Sequence, residues 1–244
     1  TIANAPCLLS GKGNIALWNA PLTIAVVGTR TPTELTKRFG MRLSEWLSYT
    51  YQAVIVSGLA IGSDTCAHLG ALSGSKQTMA VMPHHLFSDY IYPKQNKKLA
   101  DEIVAEGGLL VSEYIQPKYQ KVRKNQLIER DIWQAGLSDG LIALEFHEEG
   151  GTRHAVNQAL ELGRFVAVVD YQNHPRSDIR SLFEHHEQFS GNRKYLKQSK
   201  DPRNLVTPIF SKASIEHWVS TLAKERQESS LAQEADMVQL SLLM

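Results

Sequence analysis

Three short turns in this chain carry residues suited to holding an anion. The first ends the run Leu22-Thr-Ile-Ala-Val-Val-Gly-Thr-Arg30. Gly28 admits a close ligand, Thr29 brings a hydroxyl, and Arg30 is a fixed cation. The second is Ser57-Gly58, followed by Gly62-Ser63-Asp64. Here Asp64 and His68 are four residues apart and share one helix face. The third is Gly150-Gly151-Thr152-Arg153 at the start of a helix. Backbone N–H groups at a helix N-terminus, with a guanidinium nearby, make a phosphate site. A basic stretch adds Lys118, Lys121, Arg123 and Lys124, then Asn125, with Tyr114 and Tyr119 among them. Cations interleaved with aromatic rings suit a nucleic-acid backbone and its bases. Each feature also has a plain reading: a strand–helix turn with a surface arginine, a helix cap with a surface histidine, a solvated basic loop. His84-His85 lacks a carboxylate at ligand spacing, so no metal is expected.

Positioning these turns requires strands that end where the turns begin. Residues 22–28 form a continuous apolar, β-branched run, the pattern of a buried parallel strand. Similar runs follow at 53–56, 78–82, 109–112, 140–145 and 165–169, with a last edge strand at 206–210. Between them the spacing predicts helices over 34–50, from Ser63 to Gly74, 96–105, 125–136, 153–162, 179–190 and 215–222. Thr33 or Thr31 is placed to cap the first, with Pro32 in its first turn. Ser63 or Asp64 is placed to cap the second. Strand, glycine turn and helix repeat at about thirty-residue steps. The expected fold is α/β, a doubly wound, mostly parallel sheet with helices on both faces. In such sheets ligands bind outside the C-terminal strand ends, where all three turns fall. The loop 83–96 is too long for a simple connector and is expected to carry function. Residues 1–21 read as a lead-in arm, 22–222 as the domain, and 223–244 as a charged tail with an apolar end at 237–244, frayed or docked.

The totals narrow the class. The chain has 244 residues, 43% of them hydrophobic, and a formal charge of +1. That charge gives no global pull toward nucleic acid, so binding must come from local clustering. No apolar run reaches membrane-spanning length. Two cysteines, Cys7 and Cys66, make neither a disulfide framework nor a zinc site, which fits a reducing cytoplasm. The N-terminus lacks a basic region followed by an apolar one, so no secretory leader is expected. It starts at Thr1, so upstream sequence is expected to have been removed.

Taken together, these motifs resemble the DprA/Smf (DNA-processing protein A) family. The matching pieces are Ile24-Ala-Val-Val-Gly-Thr-Arg30, Val56-Ser-Gly-Leu-Ala-Ile-Gly-Ser-Asp64 with Ala67-His68, Tyr92-Pro93 with Asn96 and Leu99, and Leu110-Val-Ser-Glu113. Lys124-Asn125, Gly136-Leu-Ser-Asp139, Gly150-Gly-Thr152, Gly163-Arg164 and Gly191-Asn192 with Leu196 complete the set, which covers about residues 5–222. No single motif is decisive; their order and spacing together are specific. The resemblance implies an extended Rossmann fold, no catalytic residues, no cofactor, and single-stranded DNA or a nucleotide phosphate as ligand. It also implies a homodimer and a recombinase as protein partner. Carried over, Arg30, Ser57, Gly58, Lys124, Asn125 and Thr152 would line the pocket, with Arg30 and Lys124 on phosphates. The full candidate set is Gly28, Thr29, Arg30, Ser57, Gly58, Asp64, His68, Lys121, Arg123, Lys124, Asn125, Gly150, Gly151, Thr152 and Arg153.

The chain departs from the family pattern in three places. Ile61-Gly-Ser-Asp64 stands where Arg-Gly-Ile-Asp is usual, and Lys124-Asn125-Gln126 where Arg-Asn-Arg is usual. Glu148-Glu149 precedes the third turn and brings carboxylates toward the phosphate position. These departures, with the apolar tail, also fit a DprA-like antitoxin that neutralises a cognate toxin in bacterial anti-phage defence. An enzymatic alternative is a LOG-like nucleotide hydrolase. Its turn is Pro-Gly-Gly-x-Gly-Thr with a catalytic glutamate two or three residues on. Here Glu149 replaces the proline, His154 and Ala155 occupy the glutamate's place, and Arg130 and Asp139 are the residues left to match.

Overall fold

The computed structural model describes residues 8–87, 89–116, 121–197 and 205–241, and the side chains of its last helix as far as 228. Among these residues eight strands form one sheet: β1 (Ser10–Gly13), β2 (Thr23–Val27), β3 (Val54–Ser57), β4 (Thr78–Val81), β5 (Leu109–Ser112), β6 (Gly140–Ala143), β7 (Phe165–Val169) and β8 (Val206–Ile209). Their spatial order is β1-β5-β4-β3-β2-β6-β7-β8. Every neighbouring pair is parallel except β1 with β5. The expected doubly wound α/β fold is the one observed. Residues 10–13 of the lead-in join that sheet, with Ser10 opposite Ser112.

The helices are α1 (Glu34–Tyr51), α2 (Ser63–Ser73), α3 (Lys97–Ala105), α4 (Lys124–Gly136), α5 (Thr152–Glu161), α6 (Ser177–His185), α7 (Ser190–Lys197) and α8 (Lys212–Ser241). Alternate residues of the central strands feed two cores, one on each face. Ile24 and Val26 of β2 pack with Leu43 and Leu47 of α1, Ala67 and Ala71 of α2, and Trp218 and Leu222 of α8. Ala25 and Val27 pack on the other face with Ala135 of α4 and Ala155, Val156 and Ala159 of α5.

Two segments differ from the sequence expectation. The helix expected over 179–190 ends at His185, where His186 turns extended and a short 3-10 turn carries Phe189 into the core. Arg193 of α7 donates to the carbonyls of Phe183 (2.5 Å) and His186 (3.1 Å), satisfying acceptors that a helix end leaves open. The helix expected over 215–222 is the buried part of the longer α8, whose Ile215, Trp218, Val219 and Leu222 follow helical spacing. Beyond them Arg226 pairs with Asp139 and donates to the carbonyl of Ala20 at 2.8 Å. The side chains of the apolar end, 237–244, lie outside the described residues, as do Cys7, Lys118 and Tyr119. No helix among the described residues is long and apolar enough to cross a membrane.

Candidate nucleic-acid interface

β2 lies between β3, which the chain reaches next through α1, and β6, which it reaches only after three further strands. This is where strand order reverses, and α/β sheets bind ligands in the crevice there. A cleft of about 650 Å³ opens at this point. Gly28, Thr29 and Arg30 form one wall, Lys124 at the start of α4 a second, and Gly150, Gly151, Thr152 and Arg153 at the start of α5 a third. The first and third turns therefore meet across the switch point. Arg30, Lys124 and Arg153 are exposed at its rim. Among the described residues no carboxylate is paired with any of the three. Lys121, Arg123 and Asn125 are also exposed, just before and within the first turn of α4.

The turn bearing Arg30 is held from below. The Thr29 N–H donates to the Glu145 carbonyl at 2.7 Å. The fully buried Glu145 carboxylate accepts from the Thr33 N–H (3.0 Å) and hydroxyl (2.7 Å) through Oε2. Thr33 in turn caps α1, as its position predicted. Across the cleft, Gly151 caps α5 without a side chain; the Arg153 and His154 N–H groups donate to the Gly150 (3.3 Å) and Gly151 (2.9 Å) carbonyls, and this positive helix end lines the crevice.

The second turn does a different job. Ser57, Asp64 and His68, expected to contact phosphate, are all buried and held by protein groups, with Asp64 also lining the cleft. Ser57 donates to the Val26 carbonyl at 2.7 Å. Asp64 does not cap α2; Gly62 does, at φ +85°, where a Cβ would sit 2.4 Å from the Arg30 carbonyl oxygen. Asp64 Oδ2 instead accepts from the N–H groups of Gly58 (3.1 Å) and Ala60 (3.2 Å) and from Arg130 Nη1 (3.1 Å). Gly58 lies flat under that guanidinium: a Cβ there would be 1.0 Å from Nη1.

His68 is buried with Nδ1 2.7 Å from the Thr78 hydroxyl. That hydroxyl already donates to the Ile55 carbonyl at 2.7 Å, so Nδ1 carries the proton. Nε2 is bare and has no hydrogen-bond partner among the described residues. Burial, and then the Arg130 charge, push its pKa down to about 3, so the imidazole is neutral.

Asp131 and Gln134, which sequence reasoning passed over, line the cleft with Arg130, which it weighed only for the hydrolase alternative. Arg130 Nε lies 3.2 Å from Asp131 Oδ1, which also accepts from Gln134 at 2.9 Å. Burial raises the Asp131 pKa to about 6 against the opposing pull of Arg130. Gln126 donates to the Pro83 carbonyl at 2.9 Å and accepts from the Arg123 N–H. Gln126, Arg130 and Gln134 recur every four residues and are all buried. That polar stripe on one helix face is the signal that was available. Where the family has an arginine, Gln126 ties α4 to the loop after β4 and leaves the rim.

The two carboxylates before the third turn also separate. Glu148 pairs with Lys194 at 3.5 Å, while Glu149 lines the cleft. Asp139 accepts from the N–H (2.8 Å) and hydroxyl (3.0 Å) of Thr23 at the opposite, N-terminal end of the sheet, away from Arg130. His154 and Ala155 supply no carboxylate on α5.

The comparisons with known proteins agree with this fold. Residues 1–186 match the family model described as DNA recombination-mediator protein A. The chain is 37% identical over 172 residues to DNA processing protein DprA of Streptococcus pneumoniae, covering 69% of this chain and 57% of that one. It is 34% identical over 169 residues to DprA of Bacillus subtilis, covering 69% and 55%. It thus spans little more than half the length of these curated relatives. A solved structure of DNA processing protein A from Helicobacter pylori, described for its single-stranded DNA binding mode, superposes with a TM-score of 0.73 at 27% identity, covering 92% of this chain and 90% of that one. On the family model, the identities and the shared fold, the chain belongs to the DNA recombination-mediator protein A family, the DprA/Smf proteins.

Proposed function

We propose that the switch-point cleft holds the sugar–phosphate backbone of single-stranded DNA, and that the protein acts by binding rather than by catalysis. One observation carries this reading. Arg30, Lys124 and Arg153 converge on one cleft with no carboxylate paired to them among the described residues. Exposed cations held apart from acids are available to phosphates. The N-terminus of α5 lines the same space and adds the positive end of its dipole. The Helicobacter pylori relative is a single-stranded DNA binder, which supports the ligand class. Non-enzymatic action is supported by His154 and Ala155 standing where the hydrolase pattern has its glutamate, and by the distant place of Asp139. With this reading go the homodimer and the recombinase partner implied by the family.

The test is fluorescence anisotropy of a labelled oligonucleotide at several salt concentrations. Wild type binds, and affinity falls as salt rises with a log–log slope of about −0.7 per neutralised phosphate. Arg30→Ala with Lys124→Ala flattens that slope by about 1.4 through loss of two phosphate contacts. A wild type that stays unbound at low salt refutes the proposal, and a cognate toxin then becomes the partner to test.

A further inference from the structure

A second cleft, of about 330 Å³, opens on the other side of Arg30. It lies between the turn after β3 and the long loop after β4, and Arg30 and Arg130 line both clefts. Its character is different. Ile61, Tyr90, Tyr92 and Pro93 make it apolar and aromatic. Tyr90, whose ring meets that of His84 edge-on at 5.1 Å, is 44% exposed, and Ile61 is 39% exposed. Ile61 occupies the position where the family pattern has an arginine, which makes this wall apolar in this chain.

The walls are preformed. The His84 ring lies in the loop with Nδ1 2.9 Å from the His85 carbonyl, which can only accept, so Nδ1–H donates. Nε2 then accepts from the Tyr92 N–H at 3.1 Å. Burial pushes the His84 pKa down, in keeping with this neutral tautomer. At the other end of the loop, buried Asn96 donates to the carbonyls of Leu59 (2.8 Å) and Ala60 (3.2 Å) and to the Thr65 hydroxyl (2.9 Å). These bonds fasten both ends of the loop, the second directly to the turn that carries Ile61. Walls held by these bonds remove an ordering cost from binding.

A nucleotide is itself half anion and half aromatic plate. Here an anion site and an aromatic slot share one arginine. The volume is at the small end of ligand pockets and suits one base rather than a stacked pair. We propose that this second cleft is a nucleobase subsite. It receives, against Tyr90 and Ile61, the base of the nucleotide whose phosphate rests on Arg30. This inference rests on the backbone-binding reading above and assigns the strand a direction off that backbone. Stacking on a tyrosine face is tolerant of base identity, so the subsite adds affinity without sequence preference.

The experiment compares two labelled strands of equal length on the full chain at low salt: oligothymidine and an abasic phosphodiester strand. Tyr90→Ala weakens oligothymidine binding roughly 5- to 100-fold, the range of one lost base–aromatic contact, and leaves the abasic strand unchanged. Tyr90→Phe retains the ring and restores oligothymidine binding. Arg30→Ala weakens both strands. Equal binding of oligothymidine by Tyr90→Ala and wild type overturns the subsite. So does a loss by Tyr90→Ala that is the same for both strands. A wild type that binds neither strand overturns the backbone reading and the subsite with it, and is told apart by the abasic arm.

Discussion

The buried neutral His68 makes the stability of this protein depend on pH in a calculable way. The imidazole is held at a pKa of about 3 in the folded chain, against an ordinary 6.5. Between those values the unfolded chain binds a proton that the folded chain refuses. The contribution of His68 is therefore fully present above pH 6.5 and is lost as pH falls below it. Each pH unit costs about 1.4 kcal/mol, so about 2 kcal/mol is gone at pH 5. That is a sizeable part of the roughly 5–15 kcal/mol that holds a domain together. Asp131 works in the opposite sense. Its pKa is raised from 3.8 to about 6, so the folded chain keeps a proton that the unfolded chain releases. Acidification from pH 6 to 5 stabilises the fold through it by about 1 kcal/mol. The acid response of the whole protein is a sum of opposed terms, and a single-site variant is needed to read one of them. His68→Gln keeps an N–H for Thr78 and cannot titrate. Urea unfolding followed by tryptophan fluorescence at pH 7.5, 6 and 5 gives the slope for each protein. Whatever the variant loses at pH 7.5, the wild type loses about 2 kcal/mol more than the variant between pH 6.5 and 5. Parallel pH slopes for the two proteins refute the assignment of a neutral, buried His68.

Two further outcomes follow from the site geometry. Gly58→Ala places a methyl on the Arg130 guanidinium and breaks a buried ion pair, costing roughly 3–5 kcal/mol. Thermal melting followed by circular dichroism should drop by roughly 6–20 °C, and a shift under 2 °C would show that Arg130 can move aside. Asp131→Asn removes a negative charge from the floor of an anion cleft. It tightens oligonucleotide binding several-fold at pH 8, on the order of 1 kcal/mol at an effective dielectric constant near 20. Wild type tightens toward the variant as pH falls through about 6 and Asp131 becomes neutral. His154, which lines the same cleft and whose pKa burial lowers, is present in both proteins and cancels in the comparison. Equal affinities at pH 8 would show that Asp131 is too far from the bound phosphates to matter.

Much of this architecture is written in local pattern. A β-branched run followed by glycine and a capping hydroxyl marks a strand end and a helix start, and Thr33 does cap α1. Because strand ends share one sheet edge, Arg30, Lys124 and Gly150–Arg153 could be expected to meet, and the structure brings them to one cleft. The second turn is less legible because side-chain direction is not local. Ser57 and Asp64 lie beside glycines and His68 shares a helix face with Asp64, like surface polar residues, yet their partners are Val26, Arg130 and Thr78, supplied by other elements. The break between α6 and α7 is hidden for the same reason. It depends on Phe189 finding the core and on Arg193 finding two carbonyls. The aromatic cleft needs His84 and Asn96 to reach across a loop, which no spacing rule conveys.

The strand order has a consequence for how the chain comes to exist. Ser10 of β1 finds its partner Ser112 only 102 residues later, and Thr23 meets Asp139 116 residues on. As the ribosome delivers the chain, β2 can pair with β3 early, but its other edge stays open until β6 emerges. For that interval a strand apolar on both faces presents unpaired amides to its surroundings, the condition under which nascent chains associate wrongly. Such long-range closure also makes for slow folding. The walls of the cleft come from β2, α4 and the segment after β6, and β2 itself packs on Trp218 and Leu222 of α8, so the cleft and the core that supports it are complete only once nearly the whole domain has been made.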